Sequence, residues 1–228
     1  MRKIAISDVH GCRTSFEALL DQIAFSSTDH LYLLGDYIDR GPDSKGVLDL
    51  IMELEKQGHT LTCLRGNHEE RMLNSRKDKT LRMAWLAWGG ENTMKSFGLP
   101  NEELENIDRP YWKFLQRLEW FHEIEEGYIL VHGGLNFAET DPLEDRQSMI
   151  GLRNWYHDIR HSWLQGRVVI HGHTPAPKDQ ITQRLGLLKK TPALGIDAGC
   201  SILDRPGMGH LCAFDLTNQD LYFQPNVD

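Results

Sequence analysis

The chain has 228 residues, a formal net charge of -8, 40% hydrophobic and 25% charged residues. This is ordinary globular composition, enough for one large domain with a full core and a little short for two. The negative balance argues against a protein that grips nucleic-acid backbone over a wide face, and no run approaches the ~18 apolar residues of a membrane span.

Taken in chain order, the first half alternates strand and helix. Lys3–Ser7 predicts a strand ending at Asp8, and Ser15–Phe25 a helix with Phe16, Leu19, Leu20 and Ile23 at helical spacing. His30–Leu34 predicts a second strand ending at Gly35-Asp36, and Ser44–Lys56 a second helix. Thr60–Leu64 predicts a third strand, ending at Arg65-Gly66-Asn67-His68. This rhythm predicts parallel strands joined by helices. Residues 69–126 read as mainly helical, with a helix opening over Glu69–Arg76 and an amphipathic one over Tyr111–Phe121. The Trp residues of this segment read as core rather than as ligand platforms. Strands return at Tyr128–Val131, Arg167–Ile170 and Ala193–Ile196, and then at His210–Asp215 and Leu221–Gln224 around a turn at Thr217-Asn218-Gln219-Asp220. The expected architecture is α/β, with two packed mixed sheets flanked by helices in one domain over residues 1–228.

The four Cys residues, Cys12, Cys63, Cys200 and Cys212, form no CxxC pair and read as reduced thiols. The apolar run after Met1 is too short for a signal peptide. A soluble, cytoplasmic protein is the expectation.

Each unusual polar cluster follows an apolar strand. Asp8-Val9-His10-Gly11, Gly35-Asp36-Tyr37-Ile38-Asp39-Arg40-Gly41, Gly66-Asn67-His68-Glu69, His132-Gly133-Gly134 and Gly172-His173-Thr174 come in that order. Carboxyl ends of strands converge on the ligand crevice in open α/β sheets, so these clusters predict one shared site. Asp, His and Asn offer oxygen and nitrogen donors without thiolate, a set that suits Mn, Fe(II) or Zn.

These motifs resemble, in order, those of the phosphoprotein phosphatases within the calcineurin-like metallophosphoesterase superfamily. The likeness covers most of the chain and, in size, is to the compact bacterial and bacteriophage Ser/Thr protein phosphatases. It implies a β-sandwich flanked by helices and two divalent metal ions, Mn first, with Fe or Zn as alternatives. It implies that Asp8, His10 and Asp36 hold one metal, and that Asp36 bridges to a second held also by Asn67, His132 and His173. By the same resemblance His68 is the general acid, Asp39 orients its ring, and Arg40 and Arg153 bind substrate phosphate. Ser7 departs from the Gly of many relatives, and the downstream signature of the eukaryotic enzymes, with its active-site Tyr, is absent. Ile196-Asp197-Ala198-Gly199-Cys200 is similar to the bacterial branch.

The physical logic agrees with those roles. A phosphate monoester is a dianion that repels hydroxide; two divalent ions acidify water and neutralise phosphoryl oxygens, so metal-bound hydroxide attacks directly and no Ser or Cys nucleophile is required. His157 and His161 are four residues apart but lack a third ligand, and read as solvated. His171 lies within the strand run before Gly172, and only His173 of this pair is expected to ligate. The first functional expectation is a phosphomonoesterase acting on phosphoproteins or small phosphoesters, with no membrane partner and no extended nucleic-acid binding. The alternative is a dinucleoside-polyphosphate hydrolase, for which diadenosine tetraphosphate is the type substrate. A metal-binding module without catalysis is the reading from another class, opposed by the intact Asp39, Arg40, Asn67 and His68. The basic residues of segment 75–126 are followed by an acidic half, and its Trp spacing fits core packing, which places the monoester first.

Overall fold

Continuous apolar runs such as Tyr128–Val131 make short strands that bury both faces. The computed structural model describes residues 1–228. Nine strands form: β1 (Lys3–Ile6), β2 (His30–Leu33), β3 (Thr60–Cys63), β4 (Phe121–Ile124), β5 (Tyr128–Val131), β6 (Val168–His171), β7 (Ala193–Gly195), β8 (His210–Asp215) and β9 (Asp220–Pro225). They build a sheet of order β3-β2-β1-β8-β9 and a second of order β4-β5-β6-β7. β1, β2 and β3 are parallel, as are β5, β6 and β7, while β4, β8 and β9 pair antiparallel. Both sheets are therefore mixed.

Helices α1 (Arg13–Gln22) and α2 (Ser44–Lys56) make the crossovers of the first sheet. α3 (Asn67–Ser75), α4 (Lys79–Trp85), α5 (Glu91–Ser96) and α6 (Arg109–Gln116) follow β3. α7 (Arg146–Gly151), α8 (His161–Leu164) and α9 (Lys178–Leu185) lie in the connections of the second sheet.

Side-chain alternation along β1 separates the core into layers. Ile4 and Ile6 pack with Phe16 and Leu19 of α1 and Val47 and Ile51 of α2. Ala5, between them, faces the second sheet, where Tyr32 and Phe214 meet Leu130, Ile170 and Leu194. Across the second sheet, Ile129, Val131 and Val169 pack with Phe137, Trp155 and Leu164. The result is a β-sandwich with helices on the outer face of the first sheet. No helix is long and apolar enough to cross a membrane.

The sequence expectations hold for the strand cores and for α2, whose first residue follows the Asp43 cap accepting the Gly46 N–H at 2.8 Å. Residues 121–124 differ: they form β4, where a helix was expected to continue. α6 ends at Gln116, and Phe121 and Ile124 pair with Val131 and Tyr128 across a turn at Gly127, whose φ is 91°. Four residues of mixed pattern carry no decisive period, so the partner strand decides. The core reading of the Trp residues is right for Trp85 and Trp112 and wrong for Trp88, which is 57% exposed. Trp88 lies in a π-helical turn, Leu86–Gly90, where Gly89 takes φ 110° and turns the chain outward.

Phe16 has no exposed surface and joins α1 to β1. Phe16→Ala is expected to lower the unfolding free energy by about 3–5 kcal/mol, through lost transfer energy and the cavity left behind. Urea unfolding checks this, and a loss below ~1 kcal/mol contradicts the packing described.

Candidate metal centre

The strand ends turn in an unusual way. Asp8, His10, Asp36, Asp39, Arg40 and His173 all have positive φ, between 47° and 72°. Such backbone costs of order 1–3 kcal/mol per non-Gly residue and persists only where the surroundings fix it. Two glycines are required by close approach rather than by turning. A Cβ on Gly66 would meet Asp36 Oδ1 at 2.1 Å, and one on Gly172 would meet Asp8 Oδ2 at 2.0 Å. These glycines let β3 and β6 deliver their motifs against those of β2 and β1.

The turns assemble a two-metal binding site. His10, Asp36 and His68 form one triad of donor atoms, and Asp36, His132 and His173 the other; within each, the atoms lie within 4.8 Å of one another. Asp36 is common to both. Its Oδ2 is 3.5 Å from His10 Nε2 and 3.4 Å from His132 Nε2. His10 Nδ1 bonds Ile38 O at 2.9 Å and His132 Nδ1 bonds Leu34 O at 2.8 Å, which leaves each Nε2 for a ligand. His173 Nε2 lies 3.2 Å from Gly151 O, so Nδ1 is its remaining nitrogen. Asn67 Oδ1 lies 3.2 Å from His132 Nε2. Asp8 is outside both triads: its carboxylate accepts the His173 N–H at 3.0 Å and the Ser7 hydroxyl. It still borders the site, since its charge acts on His132. These buried oxygen and imidazole donors, with no thiolate, fit two divalent ions.

His68 is fully buried and differs from the other imidazoles in having a carboxylate of its own. Its Nδ1 donates to Asp39 Oδ2 at 2.6 Å. Asp39 is held in turn by Trp85 Nε1 at 3.0 Å and Thr93 Oγ1 at 2.6 Å. Arg40 reaches across, with Nη1 2.9 Å from His10 Nε2 and Nη2 3.2 Å from His68 Nε2. Arg153 is exposed, within electrostatic range of His173 and Arg71. His171 is buried, bonds Tyr156 at 2.6 Å and belongs to neither triad. His157 and His161 are exposed.

Three positioning groups were given no role in the motif reading. Glu69 Oε2 accepts the N–H groups of Asp36 and Gly66, both at 2.9 Å, and Oε1 that of Tyr37 at 2.8 Å. It thereby staples the β2 turn to the start of α3. Trp85 and Thr93 fix Asp39 from a segment about fifty residues away. Glu69 was visible as part of a motif, while the other two give no local signal.

Burial is the largest single influence on every imidazole here and disfavours the charged form. It wins at His10, held well below the usual histidine range, and at His173, held down to about 3. It loses at His132, where Asp36 raises the value to about 9, and at His68, where Asp36 and Asp39 together raise it. Burial raises Asp8, whereas the surrounding imidazoles hold Asp36 well below the usual carboxylate range.

Two outcomes are expected. Asp36→Asn removes the carboxylate common to both triads, so elemental analysis should show loss of both ions; retention of one at full occupancy contradicts the shared position. Ligating imidazoles must be neutral, so binding displaces the His132 proton; apparent Mn(II) affinity should rise about tenfold per pH unit between about pH 6 and 8 and level off near 9. Titration calorimetry checks the sign, and pH-independent affinity contradicts it.

Residues 1–208 match the family described as calcineurin-like phosphoesterase. A symmetrical bis(5'-nucleosyl)-tetraphosphatase of Nitrosomonas europaea is 32% identical over 136 residues, which cover 59% of this chain and 45% of that one. The chain thus spans less than half the length of that curated relative. Serine/threonine-protein phosphatase 1 of Salmonella typhimurium is 27% identical over 183 residues, covering 75% of this chain and 77% of that one. A solved structure provisionally assigned as a diadenosine tetraphosphatase superposes with a TM-score of 0.70, covering 100% of this chain and 94% of that one at 21% identity, a likeness of fold. The matched family and the buried two-metal geometry agree: the chain belongs to the calcineurin-like phosphoesterases.

Proposed function

We propose that this phosphoesterase hydrolyses dinucleoside polyphosphates of the diadenosine tetraphosphate type at its two-metal site. The observation that carries this reading is the relative named as a symmetrical bis(5'-nucleosyl)-tetraphosphatase. Its identity is 32% over 136 residues, against 27% over 183 residues for the protein phosphatase. The ground for placing monoesters first also weakens, because Trp88 is exposed rather than packed in the core.

In this proposal Asp8, His10 and Asp36 hold one ion, and Asp36, Asn67, His132 and His173 the other, with Mn(II) the first candidate. Two divalent ions supply, when bound, an acidified water and neutralisation of phosphoryl charge. Arg40 and Arg153 bind the phosphoryl oxygens. Water adds to phosphorus, the P–O bond to the leaving group breaks, and His68 Nε2 gives its proton to the departing oxygen. His68 suits that role better than His132. The His132 proton depends on Asp36, which an ion would neutralise; the His68 proton is also held by Asp39, a carboxylate that belongs to neither triad. Substrate phosphate takes over the contact of Arg40 and leaves Nε2 facing the leaving oxygen.

A second reading, a phosphomonoesterase acting on phosphoproteins or small phosphoesters, is favoured by the wider coverage of the Salmonella phosphatase. The two readings separate by kcat/KM for diadenosine tetraphosphate and for a phosphoserine peptide or an aryl phosphate under the same metal and pH. A ratio of ~100 or more for the dinucleotide, about 2.7 kcal/mol of transition-state discrimination, is expected. A ratio below one leaves the phosphomonoesterase standing instead.

His68→Asn supplies an independent check of the proton donor. Turnover of a phosphoserine peptide should fall by ~10²–10⁴, the usual loss with a general acid, because an alkoxide is a poor leaving group. The dinucleotide should lose less, since its leaving oxygen belongs to a phosphate. Equal losses on both substrates, or loss of metal with the mutation, would overturn the assignment.

A further inference from the structure

A groove of about 360 Å³ opens beside the second triad. Its floor includes Asn67, whose Oδ1 is 3.2 Å from His132, and Gly151, whose carbonyl is 3.2 Å from His173. Its wall carries Arg71, Leu81, Trp88 and Ile150. The groove therefore begins at the proposed ligands and runs away from them along α3.

A lone exposed aromatic is common on protein surfaces and needs no explanation. Trp88 is not alone. The Arg71 guanidinium lies over its ring at 4.5 Å from the centroid. Arg71 follows Asn67 by four residues on α3 and so projects from the same helix face. Whereas Arg65 on the neighbouring turn pairs with Glu70 at 2.8 Å, Arg71 has no carboxylate partner. It lines the groove together with Asn67 and lies within electrostatic range of Arg40, Arg153, Asp36 and Asp39.

The segment that carries Trp88 is also tied to the site. Trp85, three residues earlier, donates to Asp39, and Arg40 N donates to Gly89 O at 3.3 Å. A Cβ on Gly89 would meet Arg40 N at 2.8 Å, so the chain beside Trp88 approaches the Arg40 backbone as only glycine permits. The Asn92 side chain donates to Arg40 O. The indole is consequently held at a set place relative to the phosphate-binding Arg, with one ring face against Arg71 and more than half its surface open.

We propose that this groove is the nucleobase subsite of the enzyme: the base of the leaving nucleotide stacks on the Trp88–Arg71 pair, and its polyphosphate runs past Arg71 toward Arg40. The inference rests on the dinucleotide reading and names the part of the protein that would tell a nucleotide from any other phosphate. Indole and guanidinium planes take any base, so little discrimination between adenine and guanine is built in. The metal triads bind phosphate alone, and the groove adds the base.

The experiment is direct binding of two probes to the Mn(II)-loaded protein by titration calorimetry. One probe is ADP, the product expected from symmetrical cleavage, and the other is pyrophosphate, which lacks a base. ADP should bind about tenfold or more tighter, the size that stacking of one base on an aromatic side chain gives. Trp88→Ala should remove that advantage while the pyrophosphate affinity changes less than about twofold, a shift too small to report a lost contact. Trp88→Phe should retain most of the advantage and shows that a ring, rather than an intact fold alone, is what matters. Equal affinity of the wild-type protein for both probes overturns the subsite, as does an ADP advantage that survives Trp88→Ala. An ADP advantage that depends on Trp88, in a protein whose kcat/KM favours monoesters, keeps the subsite and removes the dinucleotide reading.

Discussion

Asp36 is a carboxylate withdrawn from water and faced by three imidazoles, and the rest of the site is arranged around keeping it there. A buried anion is costly unless it is paired and hydrogen-bonded. Here His10, His132 and His68 lie 3.4–3.9 Å from its Oδ2, and the His68 N–H reaches its Oδ1 at 3.1 Å. Its backbone has φ 55°, a conformation held because Glu69 accepts the Asp36 and Tyr37 N–H groups together. Remove the strap and the strained turn has no reason to persist. Because Asp36 belongs to both triads, it would be common to both ions, and the imidazoles of each triad are delivered to that point.

Delivery is the work of the sandwich. β1, β2 and β3 run parallel in one sheet and β5 and β6 in the other, so five chain directions point their carboxyl ends at one rim. Chemistry at the rim tolerates bulk poorly where motifs touch. Gly66 and Gly172 are the points at which one turn lies directly on another. The backbone strain at Asp8, His10, Asp36, Asp39, Arg40 and His173 falls on the same residues that carry the donors, as expected where the surrounding structure over-determines geometry for function. The protein as a whole is acidic, with net charge -8, yet Arg40 and Arg153 lie within electrostatic range of Arg71 beside the site. Local cations in a low-dielectric recess decide what enters it, and distant surface carboxylates are screened.

Two tasks are divided between two parts of the molecule. The strand ends bring together the two triads of metal donors. The helical connection after β3 supports them from one side. Its buried members, Trp85 and Thr93, reach back to fix Asp39, and its exposed member, Trp88, borders the groove. One short segment therefore couples orientation of the proposed proton donor to the surface on which a leaving group would rest.

The motifs from Asp8 to His173 could be read as one site from the sequence alone, because each follows an apolar run and because donors of one chemical kind recur at the strand ends. Strand and helix cores were likewise legible wherever the apolar period was sustained, as in α2 and β5. The residues that sequence left undecided are those whose role depends on a distant partner. β4 pairs only because β5 lies beside it, so four residues without a clear period became a strand. Trp85 and Trp88 have the same local pattern and opposite fates: Trp85, before the π-turn over Leu86–Gly90, is buried against Asp39, and Trp88, within it, is presented to solvent. His171 and His173 flank a single glycine, but only His173 joins a triad, because His171 is taken by Tyr156. A donor's chemistry is a property of its side chain and travels with the sequence. Which way that side chain faces is settled by packing between segments far apart in the chain, and that belongs to the tertiary structure.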